Sequence, residues 1–258
     1  MNLLEAIILG VIQGLAEFLP VSSSGHLMVF HELLGIESND NLTFIVVLNL
    51  GTLLPLLYIF RQDILDLLKQ PLQKTVRLLV IATIPIVVAT LLFGDFVESL
   101  FQSTQFLAFG FLATGIVLIL TDKINNNKKE MKQMTYVDSI VVGLTQALAI
   151  FPGLSRSGST LSALLFRGVT REDAVKFSFL MSIPAAFGAL AFRVIRMLTG
   201  HVALTDLNIT NLIVGFLAAL ISGYFSINVM MKLIKTAKLK YFALFYVFGL
   251  AALIFVLF

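Results

Sequence analysis

Cysteine is absent from the 258 residues. That excludes a disulfide framework and thiolate chemistry, and it removes cysteine usage as a guide to compartment. Charge is also scarce. Asp, Glu, Lys and Arg together make up 13% of the chain, and the formal net charge is only +3. So small an excess is loop charge that orients a protein; it is not the footprint of a nucleic-acid binder. The start of the chain lacks a signal-peptide pattern, because Glu5 and Gln13 interrupt the first apolar stretch and no basic residue precedes it. What fills the composition instead is apolar side chain, at 58%. A water-soluble domain has too little interior to hide that fraction, so a bilayer must supply much of the solvent.

Four stretches have the length and apolarity of spanning helices, about 77–97, 104–121, 211–231 and 241–258. Two more, about 42–60 and 174–192, contain Pro55 and Pro184. Proline is tolerated in a membrane helix when neighbours satisfy the freed carbonyl. Six spans are therefore expected. Residues 3–36 and 137–168 do not fit a simple span. In each, a short apolar arm runs into a polar tip, around SSSGH in one and PGLSRSGST in the other, and a second short arm follows. Neither arm is long enough to cross alone, so each region is expected to be a re-entrant helix–loop–helix.

The two irregular regions are copies. Gly10–Leu27 aligns with Gly143–Thr160 at an offset of 133 without a gap. Gly10/Gly143, Gln13/Gln146, Leu15/Leu148, Ala16/Ala149, Phe18/Phe151, Ser22/Ser155, Ser24/Ser157 and Gly25/Gly158 are identical. The same offset pairs Phe44 with Phe177 and Asn49 with Ser182. The chain is expected to be one all-α polytopic membrane domain built from two halves, 1–125 and 134–258. Each half contributes one re-entrant hairpin and three spans. Three is odd, so the second half must be inverted relative to the first, an arrangement that brings broken helices together near the midplane.

Basic residues give the expected orientation. Arg61, Lys69, Lys74 and Arg77, then Lys123, Lys128, Lys129 and Lys132, then Lys232, Lys235, Lys238 and Lys240 fall on one side, taken as cytoplasmic. The segment 94–105 on the other side carries Asp95 and Glu98 and no base. Arg193 and Arg196 run against the rule. The first hairpin is then expected to enter from outside and the second from the cytoplasm.

The hairpin tips gather the chemistry. One offers Glu17, Ser22, Ser23, Ser24, Gly25 and His26; the other offers Ser155, Arg156, Ser157, Gly158, Ser159 and Thr160. Ionisable groups at membrane depth cost at least about 2.5–3.5 kcal/mol each, which a bound anion and its counter-ions would offset. Serine- and glycine-rich loops opening helices turn N–H groups toward an oxyanion. Arg156 is suited to grip two phosphate oxygens through its planar fork. A serine attacks phosphorus when a neighbour takes its proton, and His26 suits that role or protonation of the leaving oxygen. Glu17 suits a divalent cation or the orientation of His26. Each residue also has a plainer use. A histidine near an interface more often makes a structural hydrogen bond, serines satisfy helix ends, and Glu17 and Arg156 would serve as a structural ion pair. His31 and His201, and the charges at Glu32, Glu37, Asp63, Asp66, Glu172 and Asp173, are expected to be interfacial or loop groups. The co-occurrence of acid, imidazole, guanidinium and hydroxyls in two matched loops favours phosphoryl chemistry.

At these motifs the chain resembles a known family. QGLAEFLPVSSSGHL and PGLSRSGSTL are similar to the signature segments of the undecaprenyl-diphosphate phosphatases of the bacitracin-resistance type, and FSFLMSIP at 177–184 extends the likeness. The resemblance implies hydrolysis of undecaprenyl diphosphate to undecaprenyl phosphate and inorganic phosphate in the bacterial plasma membrane. It also implies a site open to the outer face and recycling of the carrier lipid for peptidoglycan. By motif, the functional positions fall on Glu17, Ser23, His26 and Arg156. Ser22, Ser24, Gly25, Ser155, Ser157, Gly158 and Thr160 fall in the phosphate-binding loops. The resemblance implies a divalent cation, magnesium or calcium, at Glu17, with Gln13 a further ligand. Gln13 stands where many members have glutamate, and a neutral amide adds no charge to a metal site. Ile45 and Asn49 also differ from the glutamate and glutamine common in the next span, about 42–60. The expected partners are the polyprenyl diphosphate and membrane lipids, with a homodimer open to the chain and no nucleic acid. The rival reading is a transporter or flippase of a prenyl phosphate or other anion, since inverted repeats with broken helices also build transporters.

Overall fold

The computed structural model describes residues 1–36, 41–100, 103–124, 127–198, 208–236, 238–246 and 249–250. They are helical throughout, with one isolated bridge between Lys129 and Val169 and no strand among the described residues. The helices are α1 (Leu3–Phe18), α2 (Ser23–Leu33), α3 (Asn41–Ile59), α4 (Arg61–Lys69), α5 (Lys74–Leu100), α6 (Thr104–Thr121), α7 (Tyr136–Leu148), α8 (Arg156–Phe166), α9 (Arg171–Leu198) and α10 (Ile209–Thr236).

Local sequence explains where they begin. Asn2 and Glu5 form a reciprocal capping box at the start of α1, and Thr135 and Asp138 form another at the start of α7. Ser22 caps α2 by accepting from the Gly25 amide, and Ser155 caps α8 by accepting from the Gly158 amide. Each of these pairs is separated by the same 133 positions that relate the two motifs.

Among the described residues three helices are long and apolar enough to cross a bilayer, in Lys74–Val97, Arg171–Phe192 and Ile209–Thr236. The bent pair α3–α4 makes four if it is counted as one broken span. The pair turns by 72° between Ile59 and Arg61, where the sequence alone suggests only a loop. Asp63 in the first turn and Lys69 in the last suit the dipole of the extra helix. At 1.5 Å per residue the 18 residues of α6 extend about 27 Å, a little short of a 30 Å hydrocarbon core. The sixth expected span opens with a 3-10 turn at Leu239–Phe242, and its residues 251–258 lie outside the described residues. Leu91, Leu92, Phe93 and Phe96 on α5, Phe109 on α6 and Phe225 on α10 are exposed, as side chains facing lipid would be.

The short arms pack on long helices from the other half of the sequence. α1 lies along α10 in the same direction, with Met1 accepting from the Asn211 side chain and Leu15 from the Ser226 hydroxyl. Gly14 makes the approach close: a Cβ there would sit 2.0 Å from Ser222 Oγ. Small residues allow such contact between membrane helices. α7 lies along α5 in the same way, with Gly143 against Ala82 and Pro85.

The basic segments meet at one end of the molecule. Lys74 donates to the Lys132 carbonyl, Lys176 pairs with Asp63, and Lys235 pairs with Glu172. The amides of Leu239 and Lys240 donate to Asp122. α10 ends at this face and α5 and α7 begin there. α1 therefore starts from the opposite face, and the two helix–loop–helix tips approach each other from opposite ends.

Candidate active site

The tip of the first hairpin is a tight connection between Phe18 and Ser23. Ser22 adopts φ +67°, a left-handed backbone that a side chain rarely takes. This conformation turns the chain so that the Ser22 hydroxyl caps α2 while its carbonyl lies 2.9 Å from His26 Nδ1. Outside groups hold the preceding carbonyls. Ser157 Oγ donates to Leu19 at 2.9 Å, and the buried Tyr246 hydroxyl donates to Pro20 at 2.8 Å. The second tip turns through Gly153 at φ +80°, where any Cβ would come within 2.3 Å of the Leu107 carbonyl. The Ser155 amide then donates to Thr114 Oγ1 of α6 at 3.2 Å.

Between the tips lies a cavity of about 60 Å³, room for about two waters. Glu17, Ser22, Ser23 and Ser24 line one side and Ser155, Arg156 and Ser157 the other. The Arg156 guanidinium donates to Glu17 Oε1. Ser23 Oγ donates to Glu17 Oε2 at 2.7 Å, and Gln13 Nε2 donates to the same oxygen at 3.0 Å. The ion pair is partly buried, with side-chain exposures of 25% for Arg156 and 14% for Glu17. Three donors thus converge on one carboxylate, and removing Arg156 would leave a poorly hydrated charge.

The expected site residues are not all at the cavity wall. Gly25 and Gly158 sit behind it as cap donors, and Thr160 bonds the Arg156 carbonyl at 2.9 Å and Ser178 Oγ at 2.7 Å. His26 is buried one turn along α2, against the Phe111 ring at 5.3 Å. Its Nε2 has no partner among the described residues. The group that touches the Ser23 hydroxyl is Glu17. His31 is buried on α2 with both ring nitrogens unpartnered among the described residues, and His201 and Glu37 lie outside them.

Among the described residues no cluster of three or more His, Cys, Asp or Glu could hold a metal. Glu17 is the one carboxylate on the cavity wall, and both its oxygens already accept hydrogen bonds. Calcium takes six to eight oxygens, while magnesium keeps several waters and takes one or two carboxylates together with substrate phosphates. A single, already engaged carboxylate does not make a protein cage for either ion, so Glu17 fits a cation only together with oxygens of the substrate.

Sequence reasoning passes over three supports. Tyr246 and Thr114 each brace a tip from a distant helical segment, and nothing in their local sequence signals it. Asn49 accepts from Gln13 at 3.1 Å; the sequence marks it only by the repeat offset that pairs it with another polar residue, Ser182, and by its standing where the resembled family commonly has glutamine, and neither signal gives its partner.

Comparison with known proteins identifies the family of the whole chain. The model of the family described as bacitracin resistance protein BacA matches residues 6–253. An undecaprenyl-diphosphatase of Carboxydothermus hydrogenoformans is 42% identical over 257 residues, covering 100% of this chain and 98% of its own. Proteins of the same name from Alkaliphilus metalliredigens and Halothermothrix orenii are 41% and 43% identical, covering 94% of this chain in each case and 94% and 93% of their own. With a cavity between two Ser-rich hairpin tips and a family match over nearly its whole length, the chain belongs to the bacitracin resistance protein BacA family.

Proposed function

We infer that this protein is an undecaprenyl-diphosphate phosphatase, releasing inorganic phosphate and undecaprenyl phosphate. The observation that carries the reading is the convergence of Arg156 and Ser23 on Glu17 across the two tips. It puts a nucleophile, a proton acceptor and a phosphate-gripping cation in one small cavity. The curated relatives carry the name of this enzyme over nearly the full chain, which leaves the transporter reading without support.

In this mechanism the terminal phosphate enters between the tips and draws Arg156 away from Glu17. Ser23 Oγ attacks the terminal phosphorus in line, and its proton passes to Glu17 Oε2, 2.7 Å away. The bond from phosphorus to the bridging oxygen breaks, and undecaprenyl phosphate leaves. Water then attacks the phosphoserine phosphorus, the bond from phosphorus to Ser23 Oγ breaks, Oγ recovers its proton from Glu17, and phosphate leaves with the water's oxygen. Arg156 and the amides of the Ser22 and Ser155 loops hold the equatorial oxygens. His26 lies behind the cavity wall against Phe111, and in this reading it is a second proton carrier reached from the site, not a group in contact with Ser23. Glu17, the carboxylate of the cavity wall, would hold a divalent cation, magnesium or calcium, together with the diphosphate oxygens, and the ion would neutralise phosphate charge there.

We read the chain as two inverted repeats, 1–125 and 134–258, with six spans in all. Support comes from the capping boxes and serine caps repeated at one offset, and from the exchanged packing of α1 on α10 and α7 on α5. The basic end is the cytoplasmic face of the bacterial plasma membrane, and the site opens outward. Phosphate release by purified protein in detergent, with labelled phosphate traced to Ser23, tests the enzyme and its covalent route. A transporter would release none.

A further inference from the structure

Gln13 is only 1% exposed, and its amide nitrogen donates twice, to Glu17 Oε2 at 3.0 Å and to Asn49 Oδ1 at 3.1 Å. An amide nitrogen has two hydrogens, so both are used. The far end of the chain of bonds dictates which way each amide points. Asn49 Nδ2 lies 2.9 Å from the Ile45 carbonyl oxygen, and a carbonyl oxygen only accepts. Asn49 must therefore turn its nitrogen to Ile45 and its oxygen to Gln13. Gln13 must answer with its nitrogen, and that nitrogen meets Glu17. The polarity of the relay is set by a main-chain group that cannot reverse.

We propose that Asn49 is a positioning residue for the phosphatase reaction: through Gln13 it holds Glu17 Oε2 beside the Ser23 hydroxyl while Oε1 faces Arg156. The inference rests on the reading of Glu17 as the carboxylate of the reacting site. It gives Gln13 the role of hydrogen-bond donor to that carboxylate. It also gives a reason for an amide at this position in this chain. A glutamate at 13 would set an acceptor against Asn49 Oδ1 and a second carboxylate against Glu17. The amide at 13 and the asparagine at 49 are thus a matched pair, linked across 36 positions of sequence.

The test is a double-mutant cycle on the full-length protein purified in detergent, with phosphate release from undecaprenyl diphosphate as the kinetic readout. The variants are Asn49→Leu, Gln13→Met and the two combined, and thermal unfolding midpoints are followed in parallel. Asn49→Leu is expected to lower kcat about tenfold, a barrier change of about 1.4 kcal/mol, and to leave KM within about twofold, since no contact to the lipid is removed. Gln13→Met is expected to lose at least as much. The double variant is expected to be no worse than Gln13→Met alone, because the two residues act in series. Losses that multiply, or an Asn49→Leu protein with normal kcat, would overturn the proposal. Gln13→Glu changes no volume and guards against misfolding of the leucine variant. It is expected to lose kcat about tenfold at a midpoint within about 4 °C of wild type, and full turnover would equally overturn the proposal. A wild-type protein that releases no phosphate overturns the phosphatase reading and this inference with it. An active wild type with a fully active Asn49→Leu protein overturns this inference alone.

Discussion

Arg156 donates to Glu17 across 139 positions of sequence, from the tip of one broken helix pair to the end of the first arm of the other. Neither residue would be stable at this depth alone. Each offsets the other's desolvation, and both remain partly open to a small polar cavity. In the mechanism proposed above, an incoming phosphate must compete with Glu17 for the guanidinium.

Replacing Arg156 follows directly from that pairing. Arg156→Ala is expected to lower kcat/KM by at least about 100-fold, the loss of one oxyanion-stabilising donor. Arg156→Lys is expected to recover only part, because an ammonium lacks the planar fork. Rates of phosphate release, together with thermal midpoints showing both proteins folded, check this.

Ser23 donates to Glu17 with no histidine contact at its hydroxyl. Ser23→Ala removes the nucleophile together with its proton transfer to Glu17, and is expected to lose activity by at least about 10²–10⁴-fold. Rapid acid quench of wild type with substrate labelled in the terminal phosphate is expected to trap label on Ser23. Glu17→Gln is expected to abolish that label, and His26→Gln is expected to retain it while slowing turnover. Labelled Glu17→Gln protein would move the base elsewhere.

The donor set around Glu17 predicts a distinctive cation behaviour. Calorimetric titration of magnesium into the protein alone is expected to show no saturable binding. The same titration with a non-hydrolysable prenyl diphosphate analogue present is expected to show it. Tight binding to the protein alone would mean a preformed site that the arrangement of Glu17, Ser23 and Gln13 does not provide.

Much of this arrangement is legible in the sequence, for physical reasons. Apolar length marks the long helices, and the arms ending at Phe18 and Phe151 are visibly too short to cross. The Ser–Gly tips are visible because helix starts in lipid need their own caps. Packing across the halves is different. That α1 leans on α10 depends on Gly10 and Gly14 meeting Gly215, Ala219 and Ser222, two hundred residues away, and local patterning holds no such information. The same is true of Tyr246 on Pro20. The polarity of the Gln13–Asn49 pair was hidden too, since amide direction is set by the whole chain of partners.

The α1–α10 contact carries its own prediction. A side chain at Gly14 has no room, its Cβ falling 2.0 Å from Ser222 Oγ and 2.6 Å from the Ala219 carbonyl. Gly14→Leu is expected to cost at least the about 1–3 kcal/mol typical of overpacking and to push α1, with Gln13 and Glu17, out of register. A lowered thermal midpoint with reduced phosphate release checks it, and Gly188→Leu, at a position with nothing within 4 Å of its Cβ among the described residues, is the control.

Stopped incubations of the purified protein with undecaprenyl diphosphate in detergent, wild type beside Arg156→Ala, bear most directly on the two-tip site. Inorganic phosphate accumulating with wild type and almost none with the folded variant is the outcome predicted here. Equal phosphate from both proteins, or none from wild type, would contradict it.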